Sequence, residues 1–134
     1  MDKKYVVRRA RQKAPLDGKW DGFFWKDTEK LGVDTVFMLE PEFKPRTQAK
    51  VLYDDEHFYG IFRVEDEYVR ATALKCQDCV CNDSCVEFFF TPGPDIAAGF
   101  FNLEINCGGT MLCKYQPAPL TNMTPITDSE CGMV

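Results

Sequence analysis

At 134 residues the chain has the length of one domain, and its apolar fraction of 45% suffices for an ordinary core. Lys plus Arg number 16 against 21 Asp plus Glu, and the net charge of −5 disfavours nucleic acid, where affinity rests on neutralising phosphates. No run approaches the roughly 18 apolar residues of a membrane span, and a single histidine without a nucleophile motif argues against most hydrolytic triads.

The first residues are basic (Lys3, Lys4, Arg8, Arg9, Arg11, Lys13), and Tyr5-Val-Val7 within them reads as a short strand. No apolar stretch of a signal peptide follows, which leaves the compartment open between the cytoplasm and export within a larger protein. Asp17-Gly18 and Asp21-Gly22 are turn signals, because glycine tolerates the positive φ of tight turns. Phe23 to Lys30 predicts a brief helical turn that buries Trp25, and Thr35 to Leu39 an apolar strand, followed by a loop from Pro41 to Pro45. Ala49-Lys-Val-Leu-Tyr53 and Phe58-Tyr-Gly-Ile-Phe-Arg-Val64 flank the polar turn Asp54-Asp-Glu-His57 and read as a hairpin.

A further strand spans Cys85 to Thr91 and stops at Pro92-Gly-Pro94, since proline donates nothing to a ladder. Phe100 to Cys107 alternates strictly, with Phe101, Leu103 and Ile105 on one face and Asn102, Glu104 and Asn106 on the other. Gly108-Gly109 turns the chain into the strand Thr110 to Tyr115, after which the composition reads as loop. Many short strands divided by turn signals predict an all-β fold, an antiparallel β-sandwich, over residues 1–134 as a single domain.

The last strands then share a face carrying Glu87, Asn102, Glu104 and Asn106. Carboxylates and amides held on a rigid sheet suit sugar hydroxyls, although any half-solvated antiparallel strand also shows a polar face. Asp83 and Glu87 lie on one strand-like segment, which does not place them across a glycosidic bond at about 5–9 Å as catalysis requires. The seven cysteines cannot all pair within one chain, and reduced thiols fit them best. Cys76-x2-Cys79-x-Cys81-x3-Cys85 invites a zinc reading, but a second paired knuckle is missing, which favours plain thiols.

In order and spacing, Leu16-Asp-Gly with Trp25, Ala49 to Tyr59, Arg63-Val-Glu-Asp66, Asp83-Ser-Cys-Val-Glu-Phe-Phe89 and Asn102-Leu-Glu-Ile-Asn106 resemble family 9 carbohydrate-binding modules and their DOMON-like relatives. The resemblance runs from Leu16 to about Tyr115. It implies a jelly-roll-like sandwich that binds carbohydrate without catalysis. Its ligands would be plant-type polysaccharide or oligosaccharide ends such as those of xylan or cellulose. The setting would be carbohydrate catabolism, beside an attached or associated glycoside hydrolase. The alternative is a structural or protein-interaction sandwich that kept the fold and lost the sugar site.

Carried over by motif, Glu87 is the carboxylate that reaches the sugar, Asn106 matches a ligand asparagine, and Glu104 occupies a position where relatives place a basic ligand residue. Two departures stand out. Cys81 falls where the first stacking tryptophan is expected, and the second such tryptophan would lie beyond Val134. Trp25 matches a core tryptophan of the family. The family also binds structural calcium, for which Asp66, with Asp83, is the candidate here. Some DOMON relatives ligate haem, but His57 sits in a hairpin turn and reads as solvated. The comparison further predicts a domain incomplete at its C-terminal end, with Pro117 to Val134 a connecting segment.

Overall fold

The structure, a computed structural model, describes residues 4–33, 43–117 and 124–125. The expected strand Thr35 to Leu39 and most of Pro117 to Val134 lie outside the described residues. The chain divides into two compact units, Met1–Glu67 and Tyr68–Val134.

The first unit is built around the hairpin. Strand β3, Arg46–Tyr53, pairs antiparallel with β4, Phe58–Glu65, in the register Tyr53↔Phe58 to Arg46↔Glu65. Asp54 fixes the connection. Its Oδ1 accepts from the backbone N–H groups of Glu56 and His57, both at 2.8 Å, and its Oδ2 accepts from Tyr59 Oη. These hydrogen bonds, that of Tyr59 foremost, hold the Asp54 carboxyl well below the usual carboxylate range.

The other edge of β3 is shared by two short strands. Leu31–Val33, β2, pairs antiparallel with Thr47 to Ala49, and Arg8–Arg9, β1, pairs parallel with Leu52 and Tyr53. The first strand thus falls just after Tyr5 to Val7, and it is parallel where an antiparallel sheet was expected. Tyr5 instead acts as a brace: its Oη donates to Glu29 O at 2.7 Å and accepts from Val51 N.

Between β1 and β2 the chain runs through successive turns, closed by Gly22 N to Lys19 O, Trp25 N to Gly22 O and Thr28 N to Trp25 O. They bury both Trp20 and Trp25, with Phe24 edge-on to Trp25 at 4.9 Å. Lys50, 2% exposed, sits among them and donates from Nζ to the carbonyls of Trp20 and Trp25 at 2.9 and 3.0 Å. Those two bonds, with the Trp20 ring 4.4 Å away, compensate a cation that burial pushes towards its neutral form.

The second unit is an antiparallel meander. It runs β5, Cys85–Phe90; β6, Phe100–Asn106; β7, Met111–Gln116; and β8, Thr124–Pro125, in that spatial order. The segment read as loop after Tyr115 therefore contributes a short edge strand, where Pro125 is tolerated. Single 3-10 turns at Val80–Asn82 and Ile96–Ala98 precede β5 and β6.

Strands and turns account for all the regular structure among the described residues. Two sheets of short strands, antiparallel in all pairs but one, make the fold all-β and of the β-sandwich class.

Candidate functional site

The register of the meander sets the site. Cys85 lies opposite Asn106, Glu87 opposite Glu104, and Phe89 opposite Asn102. Asn102 and Glu104 in turn face Lys114 and Leu112 on β7. Side chains alternate along a strand, so Cys85, Glu87, Phe89, Asn102, Glu104, Leu112 and Lys114 share one face.

This polar face is the more buried one. Asn102 and Glu104 are 4% and 6% exposed, whereas Phe101, Leu103 and Ile105 on the opposite face are only half-buried. The opposite face instead carries an aromatic ladder, with Phe90 on Phe101 at 5.2 Å and Phe101 on Tyr115 at 5.1 Å.

The polar groups at the centre are incompletely paired. Asn102 Nδ2 donates to Glu104 Oε1 at 2.8 Å, but Glu104 Oε2 and Asn102 Oδ1 are buried with no hydrogen-bond partner among the described residues. Buried acceptors normally find a donor, so two orphans side by side mark a place where a donor or cation fits. Glu87 stands directly opposite Glu104. Burial first, and then the Glu104 charge, raises its carboxyl above the ordinary value. The Cys85 thiol lies 3.8 Å from Glu87 Oε1, and burial together with the two carboxylates pushes it up to about 12. At neutral pH it is therefore a protonated thiol.

Of the residues singled out by sequence, Glu87 and Glu104 come together on this face. Asn106 lies on the same face but is fully engaged. Its Nδ2 donates to Ala73 O and Asp83 Oδ2 at 3.0 and 2.9 Å, and its Oδ1 accepts from Gly108 N and Thr110 N. Two donors and two lone pairs are thereby used, and Asn106 fastens the β6–β7 turn to the loop before β5.

Asp83 completes that fastening. It accepts from Thr72 N, Ala73 N, Thr72 Oγ1 and Asn106 Nδ2, and the backbone donors above all hold its carboxyl well below the usual range. Asp66, the calcium candidate, is half-buried just after β4 in the first unit. Among the described residues it joins no group of three His, Cys, Asp or Glu side chains able to share an ion.

The tryptophans do not serve this face. Trp20 and Trp25 are buried in the first unit, and Cys81 is exposed on the 3-10 turn before β5. An aromatic plane is nonetheless present: Phe89, 43% exposed, with Phe100 beside it at 5.7 Å. Sequence reasoning passed over Phe89 and Lys114, and weighed Cys85 only within the cysteine cluster from Cys76 to Cys85. Phe89 and Cys85 were legible as the i±2 neighbours of Glu87 on one strand. Lys114 required the β6–β7 register.

An all-β chain of two short-stranded sheets has the make-up of a β-sandwich module. The profile of carbohydrate-binding family 9 matches residues 23–128, most of the chain, and the chain belongs to that family. The structure is also similar to a crystal structure of "a putative carbohydrate-binding protein" from Bacteroides uniformis ATCC 8492. The TM-score is 0.77 at 23% identity over 96% of this chain, which establishes the shared fold. The chain spans 58% of that protein's length. No curated protein matches the chain significantly.

Proposed function

We propose that this chain binds carbohydrate, without cleaving it, through the polar face of the β5–β6–β7 sheet. The observation that carries the reading is the pair of buried, partnerless acceptors Glu104 Oε2 and Asn102 Oδ1 opposite Glu87, with Phe89 exposed on the same face. A sugar suits both features. Its hydroxyls donate to the acceptors, and the row of C–H groups on a pyranose face packs on an aromatic plane.

In this arrangement Glu87 and Glu104 are the hydroxyl acceptors, Asn102 orients Glu104, and Phe89 takes the stacking part that the family gives to tryptophan. Asn106 serves the site by fixing the turn at its end. The match to a carbohydrate-binding family supports binding over hydrolysis. Ends of plant-type chains such as xylan or cellulose are the proposed ligands, delivered to an associated glycoside hydrolase.

Calorimetric titration with xylo- and cello-oligosaccharides tests this. One site per chain is expected, with Glu87→Ala weakening affinity about tenfold or more, as befits a lost hydrogen bond to a charged group. Unchanged affinity in that variant would move the site elsewhere. Absence of heat with every sugar would favour a structural or protein-interaction sandwich, the reading to which Cys81 in place of tryptophan lends weight.

A further inference from the structure

On the same sheet face as the proposed carbohydrate site, we infer that Cys85, Glu87 and Glu104 form a site for one divalent ion of the zinc class. One ligand atom from each of the three residues lies within 4.8 Å of the others, and among the described residues no other group of three ligating side chains does so. Tetrahedral ligands at about 2.0–2.3 Å from zinc lie within about 4 Å of one another, so small side-chain rotations close this cluster on an ion.

A second observation points the same way. Glu104 is 6% exposed, and its Oε2 has no hydrogen-bond partner among the described residues. Neighbouring Asn102 Oδ1 is equally orphaned. An unmet carboxylate oxygen beside a second carboxylate and a thiol asks for positive charge. The cation lysine that the face offers, Lys114, is across β6 from β5, opposite Asn102. Asn102 Nδ2 already holds Glu104 Oε1, the kind of supporting hydrogen bond that orients a metal-binding carboxylate.

The donor set chooses the metal. Calcium and magnesium take oxygen and leave a thiolate unused, whereas copper(I) prefers sulfur throughout. One sulfur with two carboxylates suits zinc, which accepts Cys, Asp and Glu together. Binding converts the Cys85 S–H into a sulfur–metal bond, and the proton leaves to buffer. Three protein ligands leave a fourth position to water or to Asn102 Oδ1. The site differs from the sequence cluster Cys76, Cys79, Cys81 and Cys85, of which only Cys85 takes part.

The experiment uses reduced, chelator-stripped protein in sugar-free buffer, titrated with Zn2+ against a chromophoric chelator and separately with Co2+. Wild type is expected to bind one Zn2+ per chain and to develop a thiolate-to-cobalt absorption band. Cys85→Ser is expected to lose the band, and both Cys85→Ser and Glu104→Gln to weaken Zn2+ at least tenfold while melting cooperatively. Cys79→Ser/Cys81→Ser, which alters two exposed thiols, is expected to keep both signals. No stoichiometric Zn2+ in wild type overturns the inference. So does binding that survives Cys85→Ser or disappears in the Cys79/Cys81 variant. Because sugar is absent throughout, these outcomes leave the carbohydrate reading untouched.

Discussion

Gly99 shows how single residues are constrained near the meander. It follows the Ile96–Ala98 turn with φ of +98°, and a Cβ there would fall inside van der Waals distance of Gln116 O and 3.0 Å from Pro117 Cα. The neighbouring Tyr115 Oη donates to Ala98 O and pins the same corner. Gly99→Ala is therefore expected to cost about 1–3 kcal/mol, since both the backbone conformation and the space exclude a side chain. Thermal melts of the variant check this.

Glu87 gives a residue-scale prediction of opposite sign. Its folded carboxyl lies above the ordinary value because of burial and Glu104. The unfolded chain thus releases this proton first, and the contribution of Glu87 to stability is present at low pH and lost as pH rises through its folded pKa. Glu87→Gln removes the like charge and is expected to stabilise the protein at pH 7, with a smaller difference from wild type at pH 4. Melts at the two pH values decide it. A variant less stable than wild type at pH 7 would mean that the Glu87–Glu104 repulsion is not felt.

At the scale of elements, the loop before β5 hangs on Asp83. Its carboxylate collects Thr72 N, Ala73 N, Thr72 Oγ1 and Asn106 Nδ2, while Asn106 ties in Gly108 and Thr110. The lowered folded pKa means that this stability is present above the ordinary carboxylate value of about 3.9 and lost as pH falls through the folded one. Asp83→Ala is expected to melt well below wild type at pH 7 and to show a flatter acid limb below about pH 4. Hydrogen exchange of Ala73, Gly108 and Thr110 is expected to rise in the variant. Unchanged protection of those amides would contradict the anchoring role.

The shared use of Glu87 and Glu104 couples two ligands on this sheet face. If sugar and zinc take the same oxygens, each weakens the other by the same factor, as linkage demands. Stoichiometric Zn2+ is expected to reduce sugar affinity in wild type and to have no such effect in Cys85→Ser. Calorimetry in the presence and absence of Zn2+ measures this.

Over the whole molecule, the legible parts were those written in local chemistry. Asp54-Asp-Glu-His57 between two β-rich runs specified the hairpin, and alternation from Phe100 to Asn106 specified which residues share a face. Alternation does not say which face is covered, and here the buried face is the one bearing Asn102, Glu104 and Asn106. Likewise, Asn106 looked like a ligand because its motif matched, while the turn that consumes its amide is made by residues Gly108 and Thr110 and by distant Ala73 and Asp83. The parallel pairing of Arg8–Arg9 with β3 depends on a contact far along the chain that no local pattern encodes. The family resemblance covered both units, and the family match over residues 23–128 bears it out.

The central claim is that the polar face of the β5–β6–β7 sheet receives carbohydrate. Amide chemical-shift mapping during titration with a xylo- or cello-oligosaccharide tests it most directly. The account predicts saturable shifts centred on Glu87, Phe89, Asn102 and Glu104, with the hairpin amides of Asp54 to His57 unmoved. Saturable shifts centred on another surface, with those four residues silent, would contradict it.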